Sequence, residues 1–351
     1  ATATTGKVLY TAVTGWLGAL LLSLSWLYMR TSHLVRPDIV LAAVVVGGFG
    51  LQQVAFKKSK WWLHCLHGFI LALAFSIHPN ALPFIIGAGS LYLFEYRWKI
   101  FRQTSVWLYT VGVVFGLIPY LVLHILPDLN SYRILLDLFG QSHGMPIKTL
   151  SPIQLIKSAY GEFRRYDFLN HPLDLVLLTA STSYLLVRGK KTDKKLVVFL
   201  LTILVTFILV VGNKAYLYGI LFYPFLMLMI AEAMTDLLHS FKNSPTHRHT
   251  YTFMLILLVV FIGTKVWSLG STYSDFQDYD YYAMTDKIRD VIPSDARIVS
   301  VPTWWLGLSD YDYQSSWNLS FYNFYQDYSL EEGLAKLRPD YIIVAGLLRH
   351  W

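Results

Sequence analysis

Arg36 and Asp38 flank Pro37 at the end of the polar stretch Arg30-Thr-Ser-His-Leu-Val-Arg36-Pro37-Asp38, between two long apolar runs. A guanidinium grips phosphate or carboxylate oxygens in a fork, and a carboxylate can orient or deprotonate a hydroxyl. The proline stops the preceding segment from continuing as helix and opens the next one, so both side chains stand at a helix start. There Asp38 also suits a plain cap on backbone N–H groups, and Arg36 a lipid-headgroup anchor. The stretch alone leaves both roles open.

Two further clusters carry the same kind of chemistry. His78-Pro79-Asn80 interrupts an otherwise apolar stretch from Trp61 to Phe94, either as a turn between two helices or as a hydrogen-bonding group facing a substrate. Lys214 precedes Tyr216, Tyr218, Tyr223 and Pro224. A lysine beside tyrosines is a membrane-boundary anchor or, as a point charge, a partner for a lipid phosphate. Arg164 and Arg165, with Tyr160 and Tyr166, read as a basic interfacial turn or as added phosphate contacts.

Other chemistries lack their signatures. His64 and His67 lie three apart with no third ligand at metal spacing, so they read as packing residues. Cys65 is the single cysteine, which excludes an internal disulfide framework and a cysteine metal site. There is no phosphate-binding Walker loop, GxSxG elbow, HExxH pair or dinucleotide fingerprint. No metal ligand set is assigned, and a divalent metal requirement is left open. Asn318-Leu-Ser320 fits the glycosylation acceptor pattern.

The elements that must position these clusters follow from composition. The chain of 351 residues is 55% hydrophobic and 15% charged, with apolar residues in blocks, as in a polytopic membrane protein. Nine segments approach the ~20 helical residues that span a hydrocarbon core: 8–29, 39–56, 61–78, 81–94, 105–126, 173–187, 196–211, 217–239 and 251–269. The linkers 57–60, 97–102, 188–195 and 242–249 are basic and alternate with the rest, which puts them on the cytoplasmic side. The opposite face then receives Arg30 to Asp38, His78 to Asn80, residues 212–214, the long loop 127–172 and the C-terminal region. Within that loop, Ser151-Pro152 opens a helix whose Ile153, Leu155, Ile156, Tyr160 and Phe163 form an apolar stripe, predicted to lie in the interface.

Charge divides the chain as well. Residues 270–351 carry six Lys/Arg and twelve Asp/Glu, net −6, which leaves +13 on residues 1–269. The positive charge reads as membrane orientation, not nucleic-acid binding. Two domains are expected: a transmembrane domain over 1–269, and a small α/β domain over 270–351. The latter has helices at 284–291 and 330–337, strands at 297–301 and 341–344, and an aromatic middle from Thr303 to Tyr328 suited to carbohydrate stacking or interfacial anchoring.

These features together resemble the GT-C glycosyltransferases, in particular the protein mannosyltransferase and aminoarabinose transferase-like group. The resemblance rests on Arg36-Pro37-Asp38 opening a span, His78-Pro79 at an outer helix junction, and Lys214 with Tyr218 and Pro224 at a late span, together with the long outer loop and the outer α/β domain. It implies an all-α polytopic membrane fold with an extracytoplasmic C-terminal domain in the plasma (inner) membrane. It also implies transfer of a sugar from a polyprenyl-phosphate carrier to an extracytoplasmic acceptor. The carrier phosphate would lie near Lys214, helped by Tyr218, Arg164 and Arg165. The sugar would lie near Arg36, His78, Asn80 and Asp38, the last a secondary acid. The family's principal acidic residue sits in an outer loop after the first span, and the chain starts at what would be the third. Two helices are therefore expected ahead of Ala1.

Two other classes stay open: a non-catalytic membrane subunit docking a protein partner, and a lipid-linked sugar transporter. The second is disfavoured because no repeat is visible and Glu232, Asp236 and Lys265 lie towards helix ends.

Overall fold

The computed structural model describes residues 1–32, 37–58, 60–129, 151–166, 171–211, 216–242, 248–276, 280–316, 318–319, 322–323 and 327–344. The chain is mostly helical and divides into two compact units, Ala1–Gly270 and Ser271–Trp351.

The first expected span, 8–29, is instead three helices: α1 (Thr2–Leu9), α2 (Ala12–Ser23) and α3 (Trp26–Ser32). Thr11 restarts the chain, its Oγ1 accepting the Thr14 N–H at 3.1 Å, and α1 folds back on α2. A Cβ on Gly15 would lie 2.2 Å from the Ala3 carbonyl oxygen, so this hairpin requires glycine there. Apolar periodicity does not register such a cap, which is why the run read as one helix.

Next come α4 (Pro37–Lys58), α5 (Trp61–Leu73), α6 (Leu82–Tyr96) and α7 (Thr104–Tyr120, running on to Ile125). α4 has Pro37 and Asp38 in its first turn and Lys57-Lys58 in its last, matching both ends of the helix dipole. α5 and α7 approach closely because glycines face the other backbone. A Cβ on Gly112 would sit 2.0 Å from the Cys65 carbonyl oxygen, and one on Gly116 2.4 Å from that of Phe69. This is the small-residue spacing that membrane helices use to associate.

The remaining helices of this unit are α8 (Pro152–Arg165), α9 (Pro172–Arg188), α10 (Lys191–Val210), α11 (Tyr223–Lys242) and α12 (Arg248–Phe276). Among the described residues, three helices are long and apolar enough to cross a membrane: Pro37–Lys58, Thr104–Ile125 and Arg248–Ser271. α10 and α11 reach 20 residues but carry charges within their length. The interior is lined by polar groups as well as apolar ones, while Phe115, Ile156 and Trp267 are more than half exposed. Apolar side chains outward and polar ones inward is the arrangement expected in lipid.

α8 shows this most clearly. Ile153, Ile156 and Tyr160 face outward, whereas Ser158 and Glu162 are buried. The helix begins where expected, but Ser151 makes no side-chain cap, so Pro152 at the first position alone marks its start.

The second unit has α13 (Tyr281–Arg289), α14 (Leu330–Leu337) and a parallel sheet of β1 (Arg297–Ser300), β2 (Asp312–Ser315) and β3 (Tyr341–Ile343), ordered β2-β1-β3. Ile298 pairs with Tyr313 on one side and Tyr341 on the other. Ile292, Ile298, Leu308 and Tyr311 form its core. β2 has no apolar alternation and was not expected; pairing with β1 makes it a strand. α13 starts earlier than its apolar pattern, because Asp280 accepts the N–H groups of Tyr282 and Ala283.

Candidate functional site

His78 ends the 3₁₀ turn after α5 and caps the next one, Pro79–Ala81, its Nδ1 accepting the Asn80 N–H at 3.0 Å. That bond places the proton of the neutral ring on Nε2, a donor suited to a phosphate or hydroxyl oxygen. The ring also meets Tyr218 edge-on, with centroids 5.6 Å apart and planes at 61°. Two residues 140 positions apart in sequence thus share one place in the fold.

Tyr218 belongs to the 3₁₀ segment Tyr216–Leu221, which packs on α3, α4 and α8. Asp38 is completely buried in the first turn of α4. Asn80 is 7% exposed, and its Nδ2 has no hydrogen-bond partner among the described residues. A buried amide donor without a partner is costly, so such groups are found where a ligand supplies the missing acceptor.

Of the other expected residues, Arg164 is exposed on α8. Arg36, Lys214 and the Arg165 side chain lie outside the described residues. Tyr166 is buried against Phe222, with its carbonyl accepting the Tyr223 hydroxyl at 3.2 Å; its ring therefore serves packing. His64 bonds the Tyr92 hydroxyl at 2.8 Å, and His67 stacks on Tyr109. Both are packing residues, and no cluster of three metal-ligating side chains occurs among the described residues.

Two charged clusters escaped the sequence reading. Arg188 reaches Asp193 through two bonds of 2.7 and 2.9 Å, and also Glu232 and Asp236, each at 2.8 Å. Tyr184 donates to Asp236 at 2.6 Å and Thr14 to Glu232 at 3.0 Å. The cluster ties α2, α9, α10 and α11 at the basic-linker end. The other is a buried pair, Lys265 on α12 with Asp174 in the first turn of α9. Acidic residues four apart on α11, with an arginine at the end of α9, were the available signal; only the contact itself reveals their pairing.

His78, Asn80 and Tyr218 bring an imidazole, an amide and a phenol together, the kinds of group that bond oxygen-rich ligands. Comparison with protein-family models, with curated proteins and with solved structures gives no match for this chain.

Proposed function

We propose that this protein is an integral membrane glycosyltransferase that moves a sugar from a polyprenyl-phosphate carrier to an extracytoplasmic acceptor. The observation that carries the reading is the contact of His78 with Tyr218 beside the unpartnered Asn80 amide. Outward apolar faces on α7, α8 and α12 support the membrane setting. The reading requires the basic linkers inside and the Asp38, His78 and Lys214 segments outside.

In this reading Lys214 and the His78 N–H hold the carrier phosphate as it departs, and Tyr218 and Asn80 bond its oxygens or those of the sugar. Preorganised donors aimed at developing negative charge are the main source of rate in such a step. Asp38, a secondary acidic residue, orients the acceptor hydroxyl or takes its proton through the carboxylate. Lys265 lies within α12 and pairs with Asp174 in the first turn of α9, and Glu232 lies midway along α11, so these charges are not confined to helix ends as the apolar blocks alone suggest.

The test is binding of a polyprenyl phosphate to the purified full chain. Lys214→Ala and Tyr218→Ala should each weaken it about tenfold, the scale of one lost hydrogen bond to a charged group. Unchanged affinity in both variants would overturn the assignment.

A further inference from the structure

We propose a second ligand site, an anion pocket for a phosphate group, at the Lys57–Lys58 end of α4. That end lies ~30 Å along the helix from Asp38, at 1.5 Å per residue, and the cavity shares none of its lining residues with the His78 cluster. A cavity of about 200 Å³ opens there, lined by Gln53, Lys57, Glu95, Lys191, Thr192 and Lys195, with Phe56 on its apolar side.

Its charge is one-sided. Three ammonium groups face one carboxylate, and Lys191 and Thr192 open the 20-residue helix α10, whose N-terminus adds partial positive charge. Glu95 holds two of the lysines in place, with Oε1 to Lys191 at 2.6 Å and Oε2 to Lys195 at 2.8 Å. Lys195 is further fixed over the Phe56 ring at 4.3 Å. Lys57 reaches the Val8 carbonyl at 2.5 Å. The pocket is therefore built, with its cations positioned before any ligand arrives.

The second, independent observation is Gln53. It is 4% exposed and lines the cavity, and its Nε2 has no hydrogen-bond partner among the described residues. A buried amide donor beside three ammonium groups needs an acceptor, and a phosphate oxygen supplies one. The volume is below the about 300 Å³ at which pockets enclose whole drug-sized molecules. It fits a phosphate with a few attached atoms, carried by a lipid headgroup or by a soluble phosphate.

The experiment is lysine acetylation footprinting of the full chain at matched ionic strength, once in detergent with inorganic phosphate and once in phosphatidylcholine nanodiscs with or without phosphatidylglycerol. Slower labelling of Lys57 and Lys191, with exposed Lys58 unchanged, is expected in at least one arm. Protection by inorganic phosphate identifies a soluble source, and protection only with phosphatidylglycerol a lipid one. Gln53→Leu should raise the protecting concentration about tenfold, as for one lost bond to a charged group. If that variant does not fold, Lys191→Gln, at an exposed side chain, should do the same. Protection in neither arm, equal protection of Lys58, or no effect of the substitution would overturn the site.

Discussion

The imidazole of His78 does two things at once: its Nδ1 accepts the Asn80 N–H at 3.0 Å, and it packs edge-to-face with Tyr218, ring centroids 5.6 Å apart. A cap and a ligand contact are separable by substitution. His78→Asn retains a side-chain acceptor at the cap, whereas His78→Ala removes it, at a cost of about 1 kcal/mol. His78→Asn should keep the wild-type Tm and lose about a hundredfold in the proposed sugar transfer, the lower end for removing one acid-base group. Full transfer activity in that variant would reduce His78 to a helix cap.

The Arg188 cluster gives a prediction about stability alone. Arg188→Met leaves the Asp193, Glu232 and Asp236 carboxylates facing one another with the exposed Lys190 as the remaining paired cation among the described residues. Removing one partner of a buried charge group costs about 3–5 kcal/mol. Tyr184→Phe deletes one hydrogen bond and should cost about 1 kcal/mol. Thermal unfolding of both variants should show that order; a Tm for Arg188→Met equal to that of Tyr184→Phe would mean the cluster is not a single unit.

The α5–α7 contact predicts a steric result. Gly112→Val places a branched side chain where a single Cβ would already lie 2.0 Å from the Cys65 carbonyl oxygen, so the helices must separate. Overpacking of this kind costs roughly 1–3 kcal/mol or more. Gly263→Val, where a Cβ meets nothing within 4 Å, is the control and should leave stability nearly unchanged. Equal Tm values for the two variants would refute the close approach.

In the second unit, Arg297 pairs with Asp312 at 2.5 Å across β1 and β2 and holds its carboxyl below the usual carboxylate range. A depressed folded-state pKa means the pair stabilises the fold above about pH 4 and stops doing so as pH falls through the lower folded value. Hydrogen exchange at the 297–300 amides should therefore show protection falling on acidification, and Asp312→Asn should abolish that dependence. An acid limb of the same size in the variant would assign it to other carboxylates.

How much was legible beforehand differs from element to element. Proline at the first helical position and an apolar stripe gave α8 its start, and the dense apolar run gave α4, α7 and α12, because these signals are local in the chain. The break at Thr11 was missed because it depends on a single cap inside an apolar run. β2 was missed because its residues become a strand only by pairing with β1. At the site, the sequence supplied His78, Asn80, Tyr218 and Asp38 as polar residues among apolar ones. The contact of His78 with Tyr218 was decided by the packing of the Tyr216–Leu221 turn onto α3, α4 and α8.

The sequence by itself therefore determined that this protein is helical and membrane-like, and that its polar groups are few and concentrated. Apolar blocks and charge alternation are properties of composition along the chain. Only the tertiary structure decided which of those polar groups meet. Arg188 with three carboxylates, Lys265 with Asp174, and Gln53 lining one cavity with three lysines all bring together residues from separate helices, and meetings across the fold are invisible to local pattern.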